Sequence, residues 1–247
     1  SISLMSVGIG GGYTGRWKNS SLTVDGSYTN LGPYYRLVPQ NTEWNGNPDG
    51  IDGMMRFQQK TRETGLLKCF LSYSHGNSSM NYPDPVDVNS DMKLDLFDRN
   101  TYFNASYRDI LSEKLNIRAG VSWSDDQTEL GLGPDEVDEK VRVSQARYTI
   151  QWVAGEAFNL KFGNEFRHKE YAQDYREAVT ERTYSTSFTD NFAMGFAEGE
   201  IRVGPRLALR AGGRLEYSSV IDRFNLAPRA SLAVKTGRNS QVSLAYG

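Results

Sequence analysis

The run Leu115-Asn116-Ile117-Arg118-Ala119-Gly120-Val121-Ser122-Trp123 decides the fold class. Successive side chains of an extended chain point to opposite faces, so Leu, Ile, Ala, Val and Trp share one side while Asn, Arg, Gly and Ser share the other. Such a ribbon separates oil from water. The metre recurs: Phe158, Leu160, Phe162 and Phe166 alternate with Asn159, Lys161, Glu165 and Arg167, and Leu207, Leu209, Ala211, Leu215 and Tyr217 alternate with Arg210, Gly212, Arg214 and Glu216. About a dozen such segments, each of roughly ten residues, predict an all-β chain: a transmembrane antiparallel β-barrel wall of the bacterial outer-membrane type.

The composition agrees. A chain of 247 residues with formal net charge -2 and mean hydropathy -0.57 resembles a soluble protein. Only every second barrel residue faces lipid, however, so no long apolar run is needed. The balance of 28 basic against 30 acidic residues excludes nucleic acid as the main partner, because a phosphate footprint needs a basic excess. The single Cys69 excludes an intrachain disulfide and falls in the apolar register with Leu67, Leu71 and Tyr73.

Along the chain, Ile2 to Trp17 reads as one strand, turned at Lys18-Asn19-Ser20 into Leu22 to Tyr28. Further pairs are expected around Arg62 to Gly65, Leu111-Ser112-Glu113, Gly155-Glu156, Gly204-Pro205 and Thr236 to Asn239. Between them lie stretches that read as long loops: Leu31 to Gly53, His75 to about Asp98, the acidic Asp125 to Glu139 and the polar Glu170 to Asp190. Short turns mark the periplasmic side and long loops the outside. Lys18-Asn19, Gly155-Glu156 and Gly204-Pro205 should therefore share one rim, opposite Asn45, Asp84 and Asp135. The chain opens without a signal peptide, starts outside and stops in mid-ascent at Gly247. The expectation is a slice of a larger barrel whose first and last strands each keep an unpaired edge.

A charge facing lipid near the midplane costs on the order of 2–4 kcal/mol, so the charged alternates must point inward. That places Arg118, Glu165, Arg167, Arg210, Arg214 and Glu216 on the lumen side. They would face a polar plug or form cross-strand salt bridges within the wall, and either role suits their spacing.

The succession Leu207-Ala208-Leu209-Arg210-Ala211-Gly212-Gly213-Arg214-Leu215-Glu216-Tyr217, Asn225-Leu226-Ala227-Pro228-Arg229-Ala230-Ser231-Leu232-Ala233 and Val242-Ser243-Leu244-Ala245-Tyr246-Gly247 resembles barrel strands of TonB-dependent outer-membrane receptors. Gly8 to Thr14 and Ser21 to Asn30 are similar to barrel segments of the Bacteroidetes branch. The resemblance implies a 22-stranded barrel around an N-terminal plug, coupled through a TonB box to an inner-membrane energy complex, with a surface lipoprotein as a possible partner. Neither plug nor TonB box is visible in these residues.

Other motifs compete. Gly8-x-Gly10-Gly11-Gly12 lacks the following helix of a phosphate loop. Asn45 to Gly50 matches the first half of a calcium loop, but Arg56 stands where a bidentate Glu belongs, leaving Asp49 and Asp52 as weak metal candidates beside a plain turn cluster. Asp135-Glu136-Val137-Asp138-Glu139 reads as a solvated loop tip. A hydrolase would need His75 or His168 beside a nucleophile such as Ser72 or Ser74, and no Gly-x-Ser-x-Gly elbow exists, so the expectation is a non-enzyme without cofactor. Tyr34, Tyr35, Trp44 and Tyr82 could contact a sugar or peptide, or serve as an interfacial girdle.

Overall fold

The computed structural model describes residues 1–5, 7–38, 42–83, 90–155 and 157–247. They form β1 (Ile2–Met5), β2 (Gly8–Arg16), β3 (Ser20–Asn30), α1 (Gly32–Leu37), β4 (Trp44–Lys60), β5 (Leu66–Pro83), β6 (Asp91–Ser112), β7 (Leu115–Leu132), β8 (Asp135–Val153), β9 (Phe158–Glu177), β10 (Arg182–Val203), β11 (Leu207–Ser218), β12 (Arg223–Lys235) and β13 (Gln241–Tyr246). Every strand pairs antiparallel with its neighbour in sequence, giving one 13-stranded sheet in the order β1 to β13. Among the described residues no ladder joins β1 to β13, so the sheet is open.

Cross-strand partners share a face, so the register carries one face across the whole sheet. Ile117 pairs with Ile150, Ile150 with Phe162, Phe162 with Ala197, and Ile201 with Leu209. Ile117, Phe162 and Leu209 therefore lie on the same side, as the alternation predicts. That side also carries Leu22, Val24, Met55, Phe57, Leu71, Cys69, Val121, Leu232 and Leu244. No hydrophobic side chain among the described residues is buried. A sheet whose apolar face has nothing stacked on it is stable only if that face meets hydrocarbon. Aromatic pairs mark the borders of the apolar band: Trp152 with Phe158 at 6.4 Å on one edge, Tyr217 with Phe224 at 4.9 Å on the other.

Backbone bonds tie each rim together. Lys60 N donates to Asn19 O (2.7 Å), Val153 N to Lys114 O (2.7 Å), Arg202 N to Ala157 O (2.8 Å) and Lys235 N to Arg206 O (2.7 Å). On the opposite rim Asn81 N donates to Glu43 O (2.7 Å) and Gly133 N to Lys93 O (2.6 Å). Lys18-Asn19, Gly155 and Gly204-Pro205 thus share one rim and Asn45 and Asp135 the other, while Glu156 and Asp84 lie outside the described residues.

Two expectations are corrected. Ile2 to Trp17 is two strands: Met5 pairs with Gly8, which makes thirteen strands where about twelve are expected. The stretches read as long loops are mostly strand. β7 and β8 meet at the two residues Gly133-Pro134, β9 and β10 at residues 178–181, and Asn45 to Gly50 belongs to β4 with two register shifts instead of a turn cluster. Beyond the hydrocarbon, water imposes no apolar alternation, yet the backbone ladder continues because its donors and acceptors still need partners. β6 and β10 reach 22 residues. At roughly 3.3 Å per residue and a tilt near 45°, they rise about 20 Å above a hydrocarbon layer about 30 Å thick.

One polar knot pins the short-turn rim. Asp109, 4% exposed, accepts hydrogen bonds from Thr64 Oγ1 (2.6 Å) and Tyr107 OH (2.7 Å), fastening the β4–β5 turn to β6. Asp109→Ala should lower unfolding stability by about 1.5 kcal/mol, the value of a charge-assisted bond, measured by denaturant unfolding in lipid vesicles. Asp109→Asn, which keeps one oxygen acceptor and can donate from its amide to the other hydroxyl, should lose less.

Candidate functional site

The face opposite the apolar band is wet and charged through the membrane. All six residues placed inward by alternation lie on it: Arg118 opposite Arg108 and Thr149, Glu165 opposite Arg147 and Met194, Arg167 opposite Gln145 and Phe192, Arg210 opposite Glu200, Arg214 opposite Phe196, and Glu216 opposite Met194. Several find partners within the wall. Arg210 pairs with Glu200 (2.8 Å) and Glu198 (3.6 Å), Arg214 with Glu216, and Arg167 with Asp190 (3.6 Å) while lying over the Phe192 ring at 4.9 Å. Glu165 accepts from the neutral Gln145 (2.8 Å). A hollow of about 660 Å³ lies over this face, lined by Lys68, Asn104, Arg118, Gln145, Arg147 and Glu165 among others.

Above the membrane the hydropathy of the two faces exchanges while the register runs on without a bulge. Outward residues of β7 within the band are Leu115 to Trp123 at odd positions, but higher up Leu130 and Leu132 occupy even, inward positions. The exchange repeats in four neighbours. Leu94 and Leu96 of β6, Val137, Val141 and Val143 of β8, Tyr171 and Tyr175 of β9, and Tyr184 and Phe188 of β10 all face inward. Tyr171 stacks on Phe188 at 5.1 Å and Tyr175 on Tyr184 at 6.0 Å, forming a two-step ring ladder. The outward side of the same extension carries ion pairs: Lys93–Asp95 (2.8 Å), Arg142–Asp125 (2.6 Å), Lys140–Asp138 (3.2 Å) and Arg176–Glu136 (2.6 Å).

Inward carboxylates are held differently. Tyr171 OH donates to Glu139 (2.9 Å), Tyr175 OH to Asp135 (2.8 Å), Thr128 Oγ1 to Asp98 (2.7 Å), and Asn100 Nδ2 to Asp126. The Ala178 N–H, with help from Tyr175, holds the Asp135 carboxyl below the usual range, so it stays ionised; Glu139 and Asp135 push the Tyr171 and Tyr175 phenols up, so they remain donors. The acidic stretch Asp135 to Glu139 is thus the start of a strand and not a loop tip, and its alternate residues serve opposite faces.

Of the aromatic candidates, Tyr35 stacks on Trp44 at 5.3 Å with Tyr34 5.9 Å away, because α1 folds back against the start of β4. Tyr82 lies on β5, two residues from the Met80 that pairs with Trp44, and is 55% exposed. Trp44, Met80 and Tyr82 extend the inward apolar stripe by two strands. Asp49 and Asp52 occupy opposite faces of β4, opposite Asn77 and Ser74, a placement that keeps them from sharing an ion. Ser72 and Ser74 point inward whereas His75 points outward with its ring 4.9 Å from Phe97, so no Ser–His dyad forms there. His168 is engaged by Asn191 (2.7 Å) and Glu170 (3.3 Å) on the outward side.

No protein-family model and no curated protein matches the chain. Solved structures do. The outer membrane transporter YddB from Escherichia coli superposes with a TM-score of 0.68 at 11% identity, covering 96% of this chain and 37% of that one. The alcaligin outer membrane receptor FauA from Bordetella pertussis gives 0.68 at 11% identity, covering 97% and 41%. The ferric enterobactin receptor PfeA from Pseudomonas aeruginosa gives 0.65 at 13%, covering 97% and 41%. The chain spans about two fifths of the length of these structures, and its fold is that of part of an outer-membrane β-barrel wall.

Proposed function

We propose that the chain forms part of the barrel of a TonB-dependent outer-membrane receptor that actively imports a nutrient too large for passive pores. The observation that carries this reading is the tall wall. A passive sieve needs a lining only as high as the membrane, whereas β5 to β10 continue about 10–20 Å above it with an inward surface unlike the one inside the membrane. Likeness to transporter and receptor barrels supports it, as do the strand resemblances, those of β2 and β3 pointing to the Bacteroidetes branch. The remaining strands, a plug and the energy-coupling complex would complete the machine, and a surface lipoprotein could cap it. The wall carries no catalytic role in this reading.

The test uses the full-length protein. Uptake of its nutrient by cells should collapse when a protonophore removes the proton gradient, and liposomes containing the purified protein should not swell in isosmotic raffinose, because a plugged barrel is closed. Swelling together with protonophore-resistant uptake would instead make it a passive channel.

A further inference from the structure

The exchange of faces above the membrane leaves an apolar and aromatic surface on the water-filled side of the wall. Tyr184 is 51% exposed, Phe188 40% and Leu96 37%, with Leu94, Leu130, Leu132, Val137 and Val141 between them. The surface costs solvation free energy unless something covers it. Charge says what fits. Four outward acids at this height are matched by Lys or Arg, in Asp95–Lys93, Asp125–Arg142, Asp138–Lys140 and Glu136–Arg176, while outward Glu129 accepts from the neutral Gln127. Inward Asp98, Asp126, Asp135 and Glu139 are hydrogen-bonded to hydroxyl, phenol, amide or backbone N–H groups, none of which cancels their charge.

We propose that this inward surface binds a positively charged ligand bearing apolar side groups, with the chemistry of a short basic peptide. The stacked pairs Tyr171–Phe188, under the inward Lys169, and Tyr175–Tyr184 take its apolar groups, and the four carboxylates on the same face, which outnumber that lysine, take its cations. A tyrosine hydroxyl bound to each of Glu139 and Asp135 fixes those acceptors beside the rings, so cation and ring contacts are made together. A strongly anionic ligand would be repelled by the same four groups, and a neutral glycan would leave their charge unused. The proposal builds on the uptake reading. Binding is measured without an energy source, so failure of active transport and failure of this assignment are separate results.

The full-length receptor, purified in detergent, is titrated with a fluorescent pentapeptide Lys-Phe-Lys-Phe-Lys and with its Glu-Phe-Glu-Phe-Glu counterpart. The fourfold variant Asp98→Asn, Asp126→Asn, Asp135→Asn and Glu139→Gln keeps side-chain shape and leaves one oxygen acceptor at each position; at Asp135 that oxygen faces the Ala178 N–H, and the new amide NH2 donates to the Tyr175 hydroxyl. It should weaken basic-peptide binding about ten-fold or more at low salt, and salt should weaken wild-type binding in parallel. The outward variant Asp95→Asn with Glu136→Gln removes carboxylates at the same height and should leave affinity unchanged, which separates sidedness from net charge. Phe188→Ala should weaken the peptide without changing the salt dependence. Equal affinity of wild type and fourfold variant overturns the proposal. So does preference for the acidic peptide, or binding of maltoheptaose in place of the basic one.

Discussion

Phe162→Arg should destabilise the barrel by about 2–4 kcal/mol from the lipid-exposed charge alone, with the lost apolar ring adding to it. Phe162 stands at the centre of the outward run Phe158 to Phe166, flanked across the ladder by Ile150 and Ala197. An arginine there cannot reach either interface without bending its stem along the wall, so the cost is near the midplane value. Ser122→Arg is the matched control: it lies inward between Asn104 and Gln145, where water and polar neighbours solvate the new charge. Equilibrium unfolding of the full-length protein in phospholipid vesicles measures both. Equal losses for the two variants would mean that the faces are misassigned.

Gly163→Val should be the second severe change. A Cβ at this inward position collides with the carbonyl oxygen of Tyr148 and lies 3.0 Å from the Phe196 ring and 3.1 Å from Thr149 Cα. The clash with backbone has no rotamer escape, so β8 and β9 must separate, at a cost of roughly 1–3 kcal/mol. Gly213, with open space where its Cβ would stand, faces lipid in β11. Gly213→Val should therefore be tolerated. The readout is the fraction of heat-modifiable, folded protein after refolding; a similar yield for both variants would show that the β8–β9 contact has room for a side chain at Gly163.

The faces were legible from alternation because lipid enforces it: a charge among Leu115 to Trp123 on the wrong side is costly, so the pattern is clean. Above the membrane that constraint vanishes, which is why Asp125 to Glu139 and Glu170 to Asp190 read as loops although both are hairpins of long strands. The missed signal is phase. Ile2 and Leu4 sit at even positions and Ile9 and Tyr13 at odd ones, so a turn of even length had to lie between them. A change of phase within β7, between Trp123 and Leu130, has no turn to explain it and marks the membrane edge instead. The stack of Tyr35 on Trp44 was out of reach of pattern, because it depends on how a six-residue helix folds back.

The strict neighbour-to-neighbour order of the sheet also has a kinetic side. Each ladder joins strands consecutive in the chain, and connections such as Glu113-Lys114 and Gly133-Pro134 are only two residues long, the latter with Gly133 at φ +60°. Loop-closure entropy is therefore small at most steps, and each hairpin can find its register before the next one is made. Such a wall can grow strand by strand from one end. The growing edge always presents bare N–H and C=O groups that only the next strand in sequence is close enough to satisfy, so chain order itself protects against mispairing during insertion.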